Sequence, residues 1–245
     1  MIGLTSKPFH PAAMPLSPPV PPPARALTKT ELMYETLRRG ILTLQYPPGH
    51  YLNLDELARR HQLSPIPVRE AVARLVAERL VVMRPHIGAE VAPLDETSVR
   101  EVFAFLVGLE TAAIPAIVAR VTAADQAELG ALVARMDQLR LPRDLARWDE
   151  ANAEFHLRLS AIAGLTAIVG QLRSTLEHWD RIRRHFFAAA SDRRAQEAQR
   201  EHRRMLAALK AGSVARLRAL LIAHNQSALA RYQRWLARPR HAASG

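Results

Sequence analysis

The sequence predicts a mainly α protein: an N-terminal winged helix-turn-helix of three helices plus a short β-hairpin, followed by an all-α six-helix bundle. Three observations carry this. Val68, Ala71, Val72, Leu75 and Val76 recur at i, i+3, i+4, i+7, i+8, the spacing of one buried helical face, just after the short amphipathic segment at Glu56–Arg60 and the turn His61-Gln62-Leu63. LVVMR and AEVAP then read as two short strands around the turn Pro85-His86-Ile87-Gly88. After Pro93 only helical periodicity remains, broken by cap, proline and glycine signals into six segments.

Taken in order, residues 1–27 contain eight of the 17 prolines and no apolar periodicity, so a disordered or polyproline-like arm is expected. Thr28-x-x-Glu31 is a capping box that opens a helix through about Leu44, and Asn53-x-x-Glu56 opens the next. Ser64 is a natural N-cap, with Pro65 at the first helical position, where its missing N–H costs nothing. In the bundle, Ser98-x-x-Glu101 opens a helix to about Arg120, with Pro115 a kink site. Thr122 caps a second, to about Arg140, and Pro142 begins a third, to Ala163. A fourth runs from Thr166 to Ala190, and Ser191 or Asp192 caps a fifth, stopped by Gly212. The sixth spans Val214 to Leu236. The expected domains are 28–95 and 96–237, with a flexible tail at 238–245.

The chain of 245 residues is long enough for two modest domains. It has no cysteine, which excludes disulfide frameworks and thiolate metal sites and suits a reducing cytoplasm. No uninterrupted run approaches the roughly 20 apolar residues of a membrane span, and no secretory signal pattern opens the chain. No membrane partner is therefore expected. Net charge is +11, but residues 28–95 hold nine Lys/Arg against eight Asp/Glu, while residues 96–245 hold 23 against 15. Nucleic-acid binding therefore rests on motif, with total charge as weak support.

The motif is specific. Pro67-Val68-Arg69-Glu70-Ala71, then Arg74-Leu75, then Pro85-x-x-Gly88-x-x-Val91, resemble the N-terminal domain of GntR-type bacterial transcription regulators, as does LRRGILTLQYPPGHYL upstream. The resemblance implies a second helix lying in the major groove of double-stranded operator DNA, and contacts from Ser64, Ile66, Pro67, Arg69, Arg74, His86 and Gly88. Three positions depart from the family pattern. Asp55 and Pro65 stand where many relatives carry basic residues, and Ile87 stands where many have arginine before the wing glycine. The operator sequence cannot be borrowed from relatives.

Three bundle helices carry a polar residue on the apolar stripe. Asn152 and His156 share a face with Trp148 and Leu159; His202 aligns with Met205, Leu206 and Leu209; His224 aligns with Leu217, Leu220 and Leu221. Each inward histidine needs a buried partner. A shared metal meets all three needs together; three separately satisfied core histidines are the alternative. NxxFHxxL, EHRRMLAAL and LLxxH resemble the FCD domain, the effector-binding half of the FadR branch of GntR regulators. That resemblance implies Asn152, His156, His202 and His224 as ligands of one divalent transition metal, with a small carboxylate effector completing the shell. Asparagine in place of the usual aspartate lowers the ligand charge and favours zinc or nickel over harder ions. Leu106 stands where relatives often carry an effector-binding arginine, so His178, Arg181, Arg183 and Arg184 are the candidates to supply charge.

The expected function is a transcription regulator, a repressor, acting as a homodimer because two-fold operators need two wings. The alternatives are a metal-dependent hydrolase-like enzyme using the histidines, or a regulator that answers to metal alone. Against the enzyme, no HExxH occurs and Glu154, at i+2 from Asn152, points away from the cluster.

Overall fold

A computed structural model describes residues 27–187 and 192–236. The expected N-terminal arm, the C-terminal tail and the Ser191 cap lie outside the described residues.

The N-terminal part comprises α1 (Lys29–Leu42), β1 (Tyr51–Leu52), α2 (Leu54–Arg60), α3 (Pro65–Ala77), β2 (Val81–Arg84) and β3 (Gly88–Val91). Thr28 and Glu31 form the full reciprocal capping box on α1, and the Asn53 side chain accepts the Glu56 N–H on α2. Ser64 stands at the N-cap of α3, but its hydroxyl caps nothing. The N3 residue is Pro67, which has no N–H to offer, so half of the expected cap is absent for a covalent reason. The first helix stops at Leu42, not at Leu44, because Leu44 takes a left-handed φ of 64°.

β2 and β3 pair antiparallel as the wing, with Val82 opposite Glu90 and Arg84 opposite Gly88. β1 adds on the other edge of β3 in the order β1-β3-β2, a strand the sequence reading lacks. Met33, Leu37, Ile41, Leu57, Val68, Val72 and Leu75 from the three helices close on Leu52, Val81, Ala89 and Val91 of the sheet.

Among the described residues six helices follow: α4 (Glu96–Arg120), α5 (Ala123–Asp137), α6 (Leu145–Ala161), α7 (Thr166–Phe187), α8 (Asp192–Lys210) and α9 (Val214–Leu236). The cap of α4 is Asp95, whose Oδ1 accepts the Ser98 N–H at 2.7 Å. Ser98 is thus the N3 member of the capping box and not its first residue, and the helix starts three residues earlier than its sequence signature suggested. Pro142 does not begin α6. Residues 141–144 form a turn closed by Asp144 N–H to Arg140 O (2.9 Å) and Leu145 N–H to Pro142 O (3.1 Å), and the helix starts at Leu145. α5 stops at Asp137, short of Arg140. Gly212, at φ 64°, ends α8 in a Schellman arrangement: Ser213 N–H reaches Ala208 O and Gly212 N–H reaches Leu209 O.

By length and composition alone α4 could cross a membrane, with a mean hydropathy of 2.1 over an 18-residue stretch. The sequence reading, based on unbroken runs, missed this because Glu110 interrupts the run without much lowering the mean. In the fold α4 is a core helix, packed against α7 and α9, with 44% of that stretch buried. Its Ala104, Phe105, Gly108 and Ala112 remain exposed.

The two parts meet through ions. Arg38 of α1 donates through Nε to Glu78 at the end of α3 (2.9 Å) and through a terminal nitrogen to Glu177 of α7. Tyr34 donates its hydroxyl to the same Glu78; burial first, and that hydrogen bond second, push its phenol up to about 12. From the bundle side, Arg181 of α7 donates to Ala92 O, in the linker after the wing, at 2.7 Å.

Candidate functional site

Three histidines converge in the bundle. His156 on α6, His202 on α8 and His224 on α9 each offer a ring nitrogen, all within 4.8 Å of one another, and all three are buried. The helices place them there because each occupies an apolar-stripe position; His202 is flanked by Phe155 and Trp148, with ring centroids at 4.7 and 6.1 Å.

The partners of the Nδ1 atoms decide the tautomers. Glu110 Oε1 lies 2.5 Å from His156 Nδ1, and Glu201 Oε2 lies 2.6 Å from His224 Nδ1. A carboxylate only accepts, so both Nδ1 atoms carry hydrogen. Gln199 donates Nε2 to Val133 O and to Asp137 Oδ1, both at 2.7 Å, which turns its carbonyl oxygen toward His202 Nδ1 at 3.3 Å. That Nδ1 also carries the hydrogen. Every one of the three rings therefore presents Nε2 as a bare lone pair, the arrangement that acceptor-backed histidines adopt around a metal. His202 Nε2 is buried with no hydrogen-bond partner, and so is Asn152 Oδ1. Two orphaned acceptors beside two further lone pairs fit a cation. Burial, then the neighbouring histidines, then Arg194 hold His202 well below its ordinary 6.5. His224 is held down in the same direction by burial, His156 and Arg194. Both are neutral near pH 7, as ligands must be.

Asn152 is half-buried and lines a small cavity of about 40 Å³ together with His156, His224, Glu110 and Asn225. A larger cavity of about 560 Å³ between α6 and α7 shares Asn152, Leu176 and Trp179 with it. Arg183 and Arg184 line the larger one, but Arg183 is held by Asp149 (2.7 Å) and Asp180, and Arg184 by Asp180. Burial pushes the Asp149 carboxyl up to about 7 against the pull of Arg183. His178 and Arg181 line neither cavity; they face the winged-helix part.

The sequence reading missed Glu110, Gln199, Glu201 and Asn225. Glu110 had a signal: it sits on the buried stripe of α4 with Leu106, Ala113, Ile114 and Ile117, a lone carboxylate where an apolar residue belongs. It also accepts from Asn225 Nδ2 at 2.8 Å. Glu201 had none, since its partner His224 lies on another helix.

At the other end, Ser64, Ile66 and Arg69 are exposed at the start of α3, and Ile66 keeps 67% of its surface. Pro67 is half-buried. Among the described residues Arg69 has no ion pair or hydrogen bond. Arg74 is engaged, its guanidinium carbon 3.8 Å from the Tyr34 ring centroid. At the wing tip His86 takes a left-handed φ of 62° and Gly88 one of 112°, leaving His86 and Ile87 projecting. A Cβ on Gly88 would also come within 3.1 Å of Tyr51, so the tip needs glycine there on two counts.

A helix-turn-helix with an outward-facing second helix and a projecting wing, joined to a helical bundle with a polar heart, defines a DNA-binding regulator with a second, helical domain. Residues 29–91 match the bacterial regulatory proteins of the gntR family, and residues 101–227 match the FCD domain. The chain belongs to the GntR family of bacterial transcription regulators and carries an FCD domain; it is not an enzyme. An uncharacterized HTH-type transcriptional regulator in the TAR-I ttuE-ttuC' intergenic region of Agrobacterium vitis is 32% identical over 134 residues, 53% of this chain and 78% of that one. The HTH-type transcriptional repressor GlaR of Escherichia coli (strain K12) is 26% identical over 200 residues, 78% and 90% of the two chains. Among solved structures, McbR/YncC of E. coli shares the fold with a TM-score of 0.68 at 23% identity, over 86% of this chain and all of that one.

Proposed function

We propose that this regulator is a repressor whose hold on its operator is controlled by a small carboxylate bound beside a divalent metal. Domain limits of 28–95 and 96–237 fit this division of labour. The ion, zinc or nickel by the donor set, is held by Asn152, His156, His202 and His224, and it supplies a positive charge to which a carboxylate can bind. The observation that carries the reading is the set of three Nε2 lone pairs, each backed by an acceptor on Nδ1. The carboxylate enters through the larger cavity, which adjoins the cluster at Asn152. Double-stranded DNA is met by Ser64, Ile66, Pro67, Arg69 and Arg74 on α3 and by His86 and Gly88 in the wing, with Arg74 also stacked on Tyr34. The protein works in the cytoplasm as a homodimer; the exposed apolar side of α4 favours a second copy as its cover. That GlaR is named a repressor supports the sign of the control.

The test is a gel shift on the DNA upstream of the protein's own gene, with metal-loaded protein and a panel of small carboxylates. One of them should release the DNA, and only when metal is present. Elemental analysis that finds no bound metal, together with release that is indifferent to chelator, would overturn the metal reading and leave the DNA-binding part standing.

A further inference from the structure

Between the winged-helix part and the bundle lies a cavity of about 590 Å³, separate from the histidine cluster. The linker after the wing, the end of α3, β2, α4 and α7 all contribute to its wall. Its chemistry is uneven. Val82, Ala92 and Phe105 make apolar wall, while Ser174, His178 and Arg181 form a polar stripe along α7.

Arg181 is the anomaly. It is 1% exposed, yet among the described residues no carboxylate pairs with it. Its hydrogen bond to Ala92 O uses one terminal nitrogen, and its Nε is buried with no partner. The other buried or nearly buried arginines of the bundle are neutralised: Arg183 by Asp149 and Asp180, Arg194 by Glu201. A desolvated guanidinium without a counter-ion is costly, and an anion is what relieves it. Burial alone pulls the Arg181 guanidinium down to about 10, where it stays charged. One turn earlier, His178 is held below its ordinary value by burial and then by the charges of Arg181 and Arg38, against the pull of Glu78 and Glu177. The carboxylates that line the cavity, Glu78 and Glu101, are paired with Arg38 (2.9 Å) and Arg79 (3.6 Å), which leaves Arg181 as its uncompensated charge.

We infer that this cavity is a second ligand site, for a small amphiphilic monocarboxylate whose carboxylate pairs with Arg181 and whose apolar body lies against Val82, Ala92 and Phe105. One unpaired guanidinium calls for one negative charge, and its flat fork matches a carboxylate. The apolar wall disfavours a strongly hydrated phosphate dianion. A ligand there touches both parts of the chain, so it acts on how the winged helix docks, by a route that bypasses the metal.

The probe is hexanoate, titrated calorimetrically into the full-length protein, with hexanamide as its uncharged match. Hexanoate should saturate one site per chain, with hexanamide at least about tenfold weaker. Arg181→Met should remove binding, and Ser174→Trp, which fills the cavity without touching the charge, should do the same. Protein treated with chelator should bind hexanoate as before. Should Arg181→Met fail to fold, Ser174→Trp decides. Equal binding of acid and amide, unchanged binding in Ser174→Trp, loss of binding on chelation, or no saturable binding by about 10 mM would each overturn the site.

Discussion

Among the described residues, every buried side chain of the winged-helix part is hydrophobic, from Met33 to Ala92, whereas the bundle buries ten polar or charged residues, among them Glu110, His156, Arg181, His202, His224 and Asn225. The first region keeps its interior apolar and leaves Arg69 and the wing tip, its proposed DNA contacts, exposed. The second places chemistry inside and must satisfy it there. Core and function are therefore separable in one region and inseparable in the other. Substitutions in the winged helix should divide cleanly into those that change stability and those that change binding; in the bundle the same substitution should do both.

The largest expected effect tests the dry core. Leu75, fully buried under the sheet, should cost about 2–5 kcal/mol when cut to alanine. Urea denaturation reads this, and the bundle's response to metal should persist in the variant. A cost below about 1 kcal/mol would mean that the core closes over the lost volume, and that its packing does not hold the wing.

Next comes the metal. Binding to the native state should stabilise it by about 2.7 kcal/mol when free ion is roughly 100 times its dissociation constant. Chelation should lower the melting temperature, added zinc or nickel should restore it, and His202→Ala or His224→Ala should each abolish most of the response. The chelated protein has a pH signature. His202 and His224 sit below their ordinary 6.5 in the fold, so the unfolded chain takes up protons first as pH falls. Their contribution is fully present above 6.5 and is lost as pH drops through the folded values. A melting temperature indifferent to chelator would make these three ordinary core histidines, and the pH dependence that burial gives His202 and His224 would then remain.

The third effect lies on the outer surface. Arg69→Ala should weaken specific operator binding by about 1–3 kcal/mol per half-site, with an unchanged circular-dichroism spectrum. Unchanged affinity would remove Arg69 from the interface. The smallest effect belongs to the wing. His86→Ala should weaken all DNA sequences about equally, since Ile87 replaces the usual arginine and leaves the tip to backbone and phosphate contacts. A selective loss at one base position would show that the wing reads sequence.

These two regions were also unequally legible in the sequence. Regular stripes with strong terminal punctuation read well: α9 spans the expected Val214 to Leu236, and the wing turn falls at Pro85–Ile87. β1 did not, because two residues cannot display alternation and Tyr51-Leu52 is a strand only by virtue of β3. Ser98 misled because the neighbouring Asp95 takes the cap of α4 through its side chain, and Pro142 because the residues after it close a turn, in which Asp144 Oδ2 accepts the Arg140 N–H (3.0 Å) and does not cap α6. In the candidate site, the three histidines were visible as breaks in apolar stripes. Of their supporting acceptors Glu110 showed only as a lone carboxylate on the α4 stripe, and its pairing with His156, 46 residues away, did not, because only the fold brings the two together.

α4 runs from the wing's linker to the histidine cluster. Its first turn follows the wing's linker, and Glu110, fourteen residues along, grips His156 and Asn225. At 1.5 Å per residue that is an arm of about 21 Å. A tilt of about 10° at Glu110 swings the far end by roughly 4 Å, comparable to the rise of one base pair. On the proposed reading, a small adjustment around the histidines would thereby be magnified at the point where the chain enters the DNA-reading part.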